Sequence, residues 1–182
     1  MKNKLEYVNE VHNQAIGWTG NCDSKASFIL AFVGIIIPLI LTSDYIIGSL
    51  EKLLSDFIGY WINEKGEFSL IALFMFVSLC TTIFFVGKCV VCQINCLTAR
   101  LNENTASIIF FKSISEQNYE DYVALVDTKT DDEYLQDKLK QIHICSTICT
   151  AKFRKYNKGV KAIKVGLLFF ALFVVFTVIF NA

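Results

Sequence analysis

Two charged residues stand at the start of the first long apolar run. Asp23 and Lys25 directly precede residues 26–43. An ammonium group can hold the phosphate of a ligand, and a nearby carboxylate can orient that group or hydrogen-bond the ligand. At a membrane boundary, by contrast, Asn21, Asp23 or Ser24 would cap the start of a helix. Lys25 would then extend to the lipid headgroups. The residues alone leave both interpretations open.

A second set of polar residues lies in the C-terminal third of the chain. Gln141 and Ser146 precede a basic run from Lys152 to Lys158. These cations could hold a phosphate, or they could attract anionic lipid headgroups, which is worth about 1 kcal/mol per charge near the surface. We favour the headgroup interpretation for the basic run. Ser146 falls at a contact position of a helix, where a small polar residue can fix the register of packing.

The cysteines raise the question of a metal site. Two groups have helical spacing: Cys89, Cys92 and Cys96, then Cys145 and Cys149. Pairs four residues apart on neighbouring helices could supply four thiolates to zinc, with His143 as a further ligand. Cysteines at such spacing are more often small buried apolar residues, so we expect no metal and no cofactor. The chain has no glycine-rich phosphate loop and only two histidines, so we expect no enzymatic activity.

Three apolar stretches are long enough to position these residues at a membrane. Hydrophobic residues make up 54% of the chain, more than the roughly 45–50% of soluble domains. A transmembrane helix needs about 20 mostly apolar residues. The predicted spans are residues 26–43, 68–91 and 161–181. The leader before the first span is long, mixed in charge and not followed by a small-residue cleavage site, so we expect a retained span, not a cleaved signal peptide.

The distribution of charge predicts the orientation of these spans. The connection 44–67 has more acidic than basic residues, whereas Lys and Arg flank the membrane ends of the connection 92–160. The positive-inside rule places residues 1–25 and 92–160 in the cytoplasm, and the acidic loop and the C-terminus outside. All seven cysteines are then within the membrane or on its cytoplasmic side, as expected for reduced thiols.

Helical periodicity extends outside the spans. Residues 1–25 carry apolar residues three and four apart, and part of the loop 44–67 has the pattern of an amphipathic helix at the membrane interface. Thr130 and Glu133 form a capping-box pattern. From there we expect one helix from about Asp131 to Phe180. Its predicted contact residues alternate at four and three positions: Leu135, Leu139, Ile142, Ser146, Cys149, Phe153, Tyr156, Val160 and Ile163.

The expected fold is therefore an all-α membrane protein. It has three transmembrane helices and a small cytoplasmic helical bundle, formed by the N-terminal helix, an extension of the second span through Ala99 and Glu103, and the last long helix. That last helix is expected to run without a break from the cytoplasm into the membrane.

Several motifs together resemble a known protein family. In order they are Trp18, the D-x-K-A-S signature at Asp23, Lys25, Ala26 and Ser27, the IIFFKSIS segment at 108–115, Tyr122, and Gln141-Ile142 with Ser146 and Lys152. The pattern is similar to that of the transmembrane effectors of Pycsar antiphage systems, bacterial proteins controlled by cyclic pyrimidine mononucleotides. The resemblance covers nearly the whole chain in order and spacing.

The resemblance implies a function and a set of site residues. The signal would be cyclic CMP or cyclic UMP from a pyrimidine nucleotide cyclase, and the effector would form a homo-oligomer and impair the bacterial inner membrane. Its partners would be this ligand and the lipid bilayer, with no nucleic acid. Candidate ligand-binding or gating residues are Trp18, Asp23, Lys25, Ser27, Gln141, Ser146 and Lys152. The alternatives are a constitutive helical assembly subunit without a nucleotide ligand, and a toxin that acts without a ligand.

Overall fold

The structure is a computed structural model that describes residues 4–61, 70–98 and 107–181. Over these ranges the chain forms six helices and no strand: α1 (Lys4–Leu41), α2 (Asp44–Trp61), α3 (Leu70–Leu97), α4 (Phe111–Ser115), α5 (Tyr119–Thr128) and α6 (Asp131–Asn181). Three of them, α1, α3 and α6, are long and apolar enough to cross a membrane. The predicted all-α class and the three membrane-spanning helices are confirmed.

The first helix is longer than the sequence suggested. α1 already includes Lys4 and continues without a break to Leu41. Asn21, Asp23 and Ser24 therefore lie in the middle of a helix, where backbone N–H groups donate to carbonyl groups four residues earlier. The interpretation that one of these residues caps a helix start is wrong. The Ser24 hydroxyl instead donates to the carbonyl oxygen of Gly20, at 3.0 Å.

The last helix begins and continues as predicted. The Thr130 N–H donates to Glu133 Oε2 at 2.9 Å, and the Glu133 N–H donates to Thr130 Oγ1 at 3.4 Å. Each side chain thus satisfies a backbone group at the helix start, which is the capping box that the sequence indicated. α6 then runs from Asp131 to Asn181 without interruption.

The predicted contact positions of α6 are only partly correct. Leu135 and Cys149 are buried, in agreement with the predicted alternation. Leu139 and Ser146, in contrast, are exposed. The proposed register role of Ser146 at a contact position is therefore wrong.

Lys152 and Gly159 are among the buried residues of α6 that the apolar pattern skipped. The predicted contact residues that follow them, Phe153 and Val160, are only half-buried. Hydrophobic periodicity selects apolar residues, so it cannot recognise a lysine buried beside a carboxylate or a glycine buried beside an amide. Both of those partners are described below.

The chain forms two compact units. Unit 1 comprises Met1–Lys25 and Leu97–Arg154, and unit 2 comprises Ala26–Cys96 and Lys155–Ala182. Helices α1 and α6 each begin in unit 1 and continue in unit 2. α3 ends at Leu97, and the extension that we expected through residues 99–103 lies outside the described residues.

Unit 2 has its own apolar core. Leu53, Ala72, Met75 and Phe173 form a cluster of buried residues contributed by α2, α3 and α6. The amphipathic helix expected within 44–67 corresponds to α2, and it packs Leu53 into this core while Leu54 remains exposed. Its location at a lipid interface stays a prediction.

Candidate functional site

Asp23 of α1 and Lys152 of α6 form an ion pair within unit 1. Lys152 Nζ lies 2.6 Å from Asp23 Oδ1 and 2.7 Å from Oδ2. The lysine side chain is only 9% exposed and the aspartate side chain 35%. Lysines are almost never this buried without a partner, and a contact to both carboxylate oxygens fixes the relative register of the two helices. Asp23 and Lys152 each lie two residues before the point where their helix leaves unit 1.

The remaining residues of the D-x-K-A-S signature have different environments. Lys25 and Ser27 are exposed, and Ser27 belongs to unit 2. Trp18 is also exposed, on α1. The carboxylate of Asp23 is paired with Lys152, and the role of Asp23 and Lys25 in holding a ligand stays a prediction. Of the D-x-K-A-S signature, Asp23 thus contributes a half-buried carboxylate to unit 1.

Gln141 is the second buried polar residue that the sequence singled out. Its side chain is 5% exposed, and Nε2 has no hydrogen-bond partner among the described residues. Gln141 lies about three helical turns before Lys152, so both side chains are on the same side of α6. The structure therefore brings Asp23, Lys152 and Gln141 to the buried side of unit 1, and it leaves Trp18, Lys25 and Ser146 exposed.

A positive group lies near this buried side. Lys138 is one turn before Gln141 on α6, and its Nζ is 5.5 Å from the centre of the Tyr134 ring. His12 of α1 is half-buried. Burial lowers the pKa of His12 below its ordinary value, and the positive charge of Lys138 lowers it further. Lys138 is thus close enough to α1 to influence a side chain on that helix.

The segment before α4 is held by Tyr122, which the sequence singled out, and by Asp137, which it did not. Asp137 Oδ2 accepts hydrogen bonds from the Ser107 hydroxyl and from the Ile108 N–H, both at 2.9 Å. Tyr122 Oη donates to the carbonyl oxygen of Ile108 at 3.0 Å. These bonds join this segment to α5 and α6 within unit 1. The motif containing Tyr122 was a signal for this contact, whereas Asp137 resembles any solvated carboxylate on a helix.

We predict that Tyr122→Phe lowers the free energy of unfolding by about 1 kcal/mol, because the Ile108 carbonyl loses a donor. Tyr119→Phe is the matched control, since Tyr119 is 80% exposed and should change the free energy by less than about 0.5 kcal/mol. Thermal unfolding in detergent measures both. Equal effects of the two substitutions would contradict a structural role for the Tyr122 hydroxyl.

α1 also bears an open groove of about 540 Å³. Five residues line it: Glu6, Asn9, Glu10, Asn13 and Gln14. Asn9 Oδ1 is buried without a hydrogen-bond partner among the described residues. The amides suit a nucleobase or another polar group, while the two carboxylates disfavour a phosphate at this position. No cluster of three or more metal-ligating side chains occurs within the described ranges.

Comparison with known proteins identifies relatives of this chain. A family model described as the Pycsar effector protein domain matches residues 7–179. The Pycsar effector protein GmPycTM of Gulbenkiania mobilis is 34% identical over 155 residues, which cover 79% of this chain and 77% of the relative. No solved structure matches. A match over nearly the whole chain, joined to three membrane-spanning helices, shows that this protein is a membrane protein of the Pycsar effector family, with an antiphage effector role.

Proposed function

We propose that this protein is activated by a cyclic pyrimidine mononucleotide, either cyclic CMP or cyclic UMP, that a pyrimidine nucleotide cyclase produces. The activated protein forms homo-oligomers and impairs the inner membrane, so that the cell stops growing or dies. Membership in the Pycsar effector family supports this signal and this outcome. The observation that carries the mechanism is the ion pair between Asp23 and Lys152.

This ion pair is suited to respond to an anionic ligand. Taking two charges out of water costs several kcal/mol, which their mutual attraction only partly offsets. A phosphate can replace the Asp23 carboxylate as the anion that Lys152 holds. A ligand shifts an equilibrium only when it binds one state more tightly. Competition for Lys152 supplies that difference, because a phosphate can take the place of the Asp23 carboxylate only in the state with this ion pair broken.

Further donors lie on the same side of α6, about 16 Å or more along the helix axis from Lys152, so one mononucleotide does not reach from Lys152 to them. Gln141 Nε2 is buried and has no partner among the described residues, so it can donate to a ligand acceptor without losing an existing hydrogen bond. Lys138 adds positive charge on the same side of α6. Both features favour a small anionic ligand with carbonyl acceptors over a cationic one.

Continuous helices connect the ion pair to the membrane-spanning segments. Because α1 and α6 each continue from unit 1 into unit 2, a change in their contact at Asp23 and Lys152 moves helices that also cross the membrane. We propose a multi-pass protein of the bacterial inner membrane with unit 1 in the cytoplasm, the loop after the first span outside and the C-terminus outside. The excess of Lys and Arg at the cytoplasmic ends of the spans supports this orientation.

The test is thermal unfolding of the purified protein in detergent with cyclic CMP, cyclic UMP, cyclic AMP and cyclic GMP. One pyrimidine nucleotide is expected to raise the Tm, since a ligand at 100 times its Kd stabilises by about 2.7 kcal/mol. The same nucleotide should shift the oligomeric state in light scattering. In cells, co-expression with the cyclase should permeabilise the membrane to a normally excluded dye.

The controls separate ligand binding from general stability. Lys158→Met removes a charge from an exposed position of the same helix and should respond as the wild type does. A protein that keeps one oligomeric state, with an unchanged Tm in all four nucleotides, would contradict the proposal. That result would favour a constitutive assembly subunit instead.

A further inference from the structure

Gln93 is a fully buried polar residue in unit 2. Its side chain on α3 is 0% exposed, and neither Nε2 nor Oε1 has a hydrogen-bond partner among the described residues. The thiol of Cys89, one turn earlier, lies beside this amide, yet no hydrogen bond of acceptable geometry joins them. Burial of an amide without hydrogen bonds is unfavourable, and most buried polar groups avoid it. The side-chain amide of Gln93 therefore lies in an environment that does not satisfy its hydrogen-bonding groups.

Gly159 of α6 provides the space that Gln93 occupies. A β-carbon added at Gly159 would overlap Nε2 of Gln93 and would lie 3.2 Å from Cβ of Cys92. Any other residue at 159 would displace the amide. Gly87 of α3 differs, because a β-carbon there would have no atom within 4 Å. The position of the Gln93 amide beside α6 thus depends on glycine at 159.

The buried side of α3 is unusually polar for a membrane-spanning helix. Besides Gln93, its buried residues include Ser78, Thr82 and Cys89. The Ser78 hydroxyl donates to Met75 O at 2.9 Å and the Thr82 hydroxyl to Ser78 O at 2.8 Å, so both donated bonds remain within α3 and do not join it to another helix. Most exposed residues of α3 are apolar, among them Leu70, Phe74, Val77, Ile83, Phe84, Val91 and Ile94, while Lys88 and Asn95 are also exposed.

Polar residues on the inner side of a membrane helix usually face a partner or a water-filled path. Here the hydroxyl groups of Ser78 and Thr82 do not donate to a partner helix, and the side-chain amide of Gln93 has no hydrogen-bond partner in the part of the chain that the structure describes. We propose that Gln93 is the gate residue of a path for water and small ions through unit 2, and that its packing against Gly159 is the closed state. In the open state the amide of Gln93 is hydrated. This inference rests on the proposed function, because it assigns a mechanism to the membrane impairment.

The experiment measures K⁺ efflux from vesicles that contain the protein. For the wild type, the nucleotide that raises the Tm should start efflux, while vesicle-entrapped dextran is retained. Gln93→Leu replaces the amide by an apolar side chain of similar size, so the closed packing remains and efflux should fall at least tenfold. Its Tm should still rise with the nucleotide, which shows that the variant folds and binds. Efflux from Gln93→Leu at the wild-type rate would overturn the proposal that Gln93 is the gate residue.

A second variant tests the closed state without any ligand. Gly159→Ala displaces the Gln93 amide, so efflux should begin without nucleotide at several times the wild-type basal rate. Gly87→Ala is the matched control and should match the wild type. The double variant Gly159→Ala/Gln93→Ala removes the overlapping amide and should return efflux to the basal rate.

These arms separate the gate from the proposed signal. If no nucleotide changes the Tm or the K⁺ efflux of the wild type but Gly159→Ala shows efflux, the proposed function is contradicted and the proposal that Gln93 is a gate residue is supported. If a nucleotide raises the Tm and permeabilises cells, yet Gly159→Ala has wild-type basal efflux, the gate fails and the proposed function stands. Release of dextran together with K⁺ would also overturn the gate, since it indicates a general loss of bilayer integrity.

Discussion

Lys152→Met is expected to abolish the nucleotide response and to lower the free energy of unfolding by about 2–3 kcal/mol. Removal of one partner from a buried ion pair costs about 3–5 kcal/mol. The effect here is smaller because the Asp23 side chain is 35% exposed and keeps part of its hydration. Methionine fills a similar volume, so the loss reflects charge and not a cavity. Thermal unfolding in detergent measures the stability, and phage plating on cells with the cyclase measures the response.

Two further variants show whether the pair itself matters. Lys158→Met should leave stability and plating unchanged, since Lys158 is exposed on the same helix. The exchange Asp23→Lys/Lys152→Asp should recover part of the stability lost by Lys152→Met, because it restores an opposite-charge contact between α1 and α6. Wild-type plating and wild-type stability of Lys152→Met would rule out a role for the pair.

Leu53→Ala is expected to lower the free energy of unfolding by about 3 kcal/mol, within the range for leucine-to-alanine changes in packed cores. Leu53 is 1% exposed and packs in the cluster with Ala72, Met75 and Phe173. The adjacent Leu54 is 53% exposed, so Leu54→Ala should cost less than about 0.5 kcal/mol. Thermal unfolding of the two variants in the same detergent gives the comparison.

This pair of leucines tests the packing of α2. The two substitutions remove the same atoms from neighbouring positions of one helix, so the effects of helix propensity and of amino-acid composition on stability are the same in both variants. Equal losses of stability would mean that α2 does not pack its Leu53 side against the core of unit 2. A larger loss of stability for Leu54→Ala than for Leu53→Ala would mean that α2 packs its Leu54 side against the core.

The helices of this protein could be predicted from sequence because their signals are local. Apolar runs of sufficient length gave the three membrane-spanning helices, and the Thr130–Glu133 capping box gave the start of α6. Both signals involve residues that are adjacent in the chain or within one turn of each other. Tertiary packing did not override them in α6, which ends within one residue of the predicted Phe180.

The candidate site could not be predicted in the same way. The partner of Asp23 lies 129 residues away, and nothing near Asp23 in sequence distinguishes Lys152 from the other lysines of the basic run. Gln93 lies directly after the second apolar run, and its lack of hydrogen bonds is visible only once α6 is packed against it. Contacts between distant segments depend on the fold. A local sequence pattern can therefore suggest which residues take part in such contacts, but not which residues pair with each other.

The division of the chain also determines the order in which the protein can form during synthesis. Unit 1 consists of two stretches, Met1–Lys25 and Leu97–Arg154, with residues 26–96 between them. Because the N-terminal part of a chain is made first, the helices around residues 26–96 emerge before the second stretch of unit 1 exists. The ion pair between Asp23 and Lys152 cannot form until the ribosome has passed residue 152. A chain synthesised only to residue 96 therefore lacks the second stretch of unit 1, and no single cut in the gene yields unit 1 as a separate fragment.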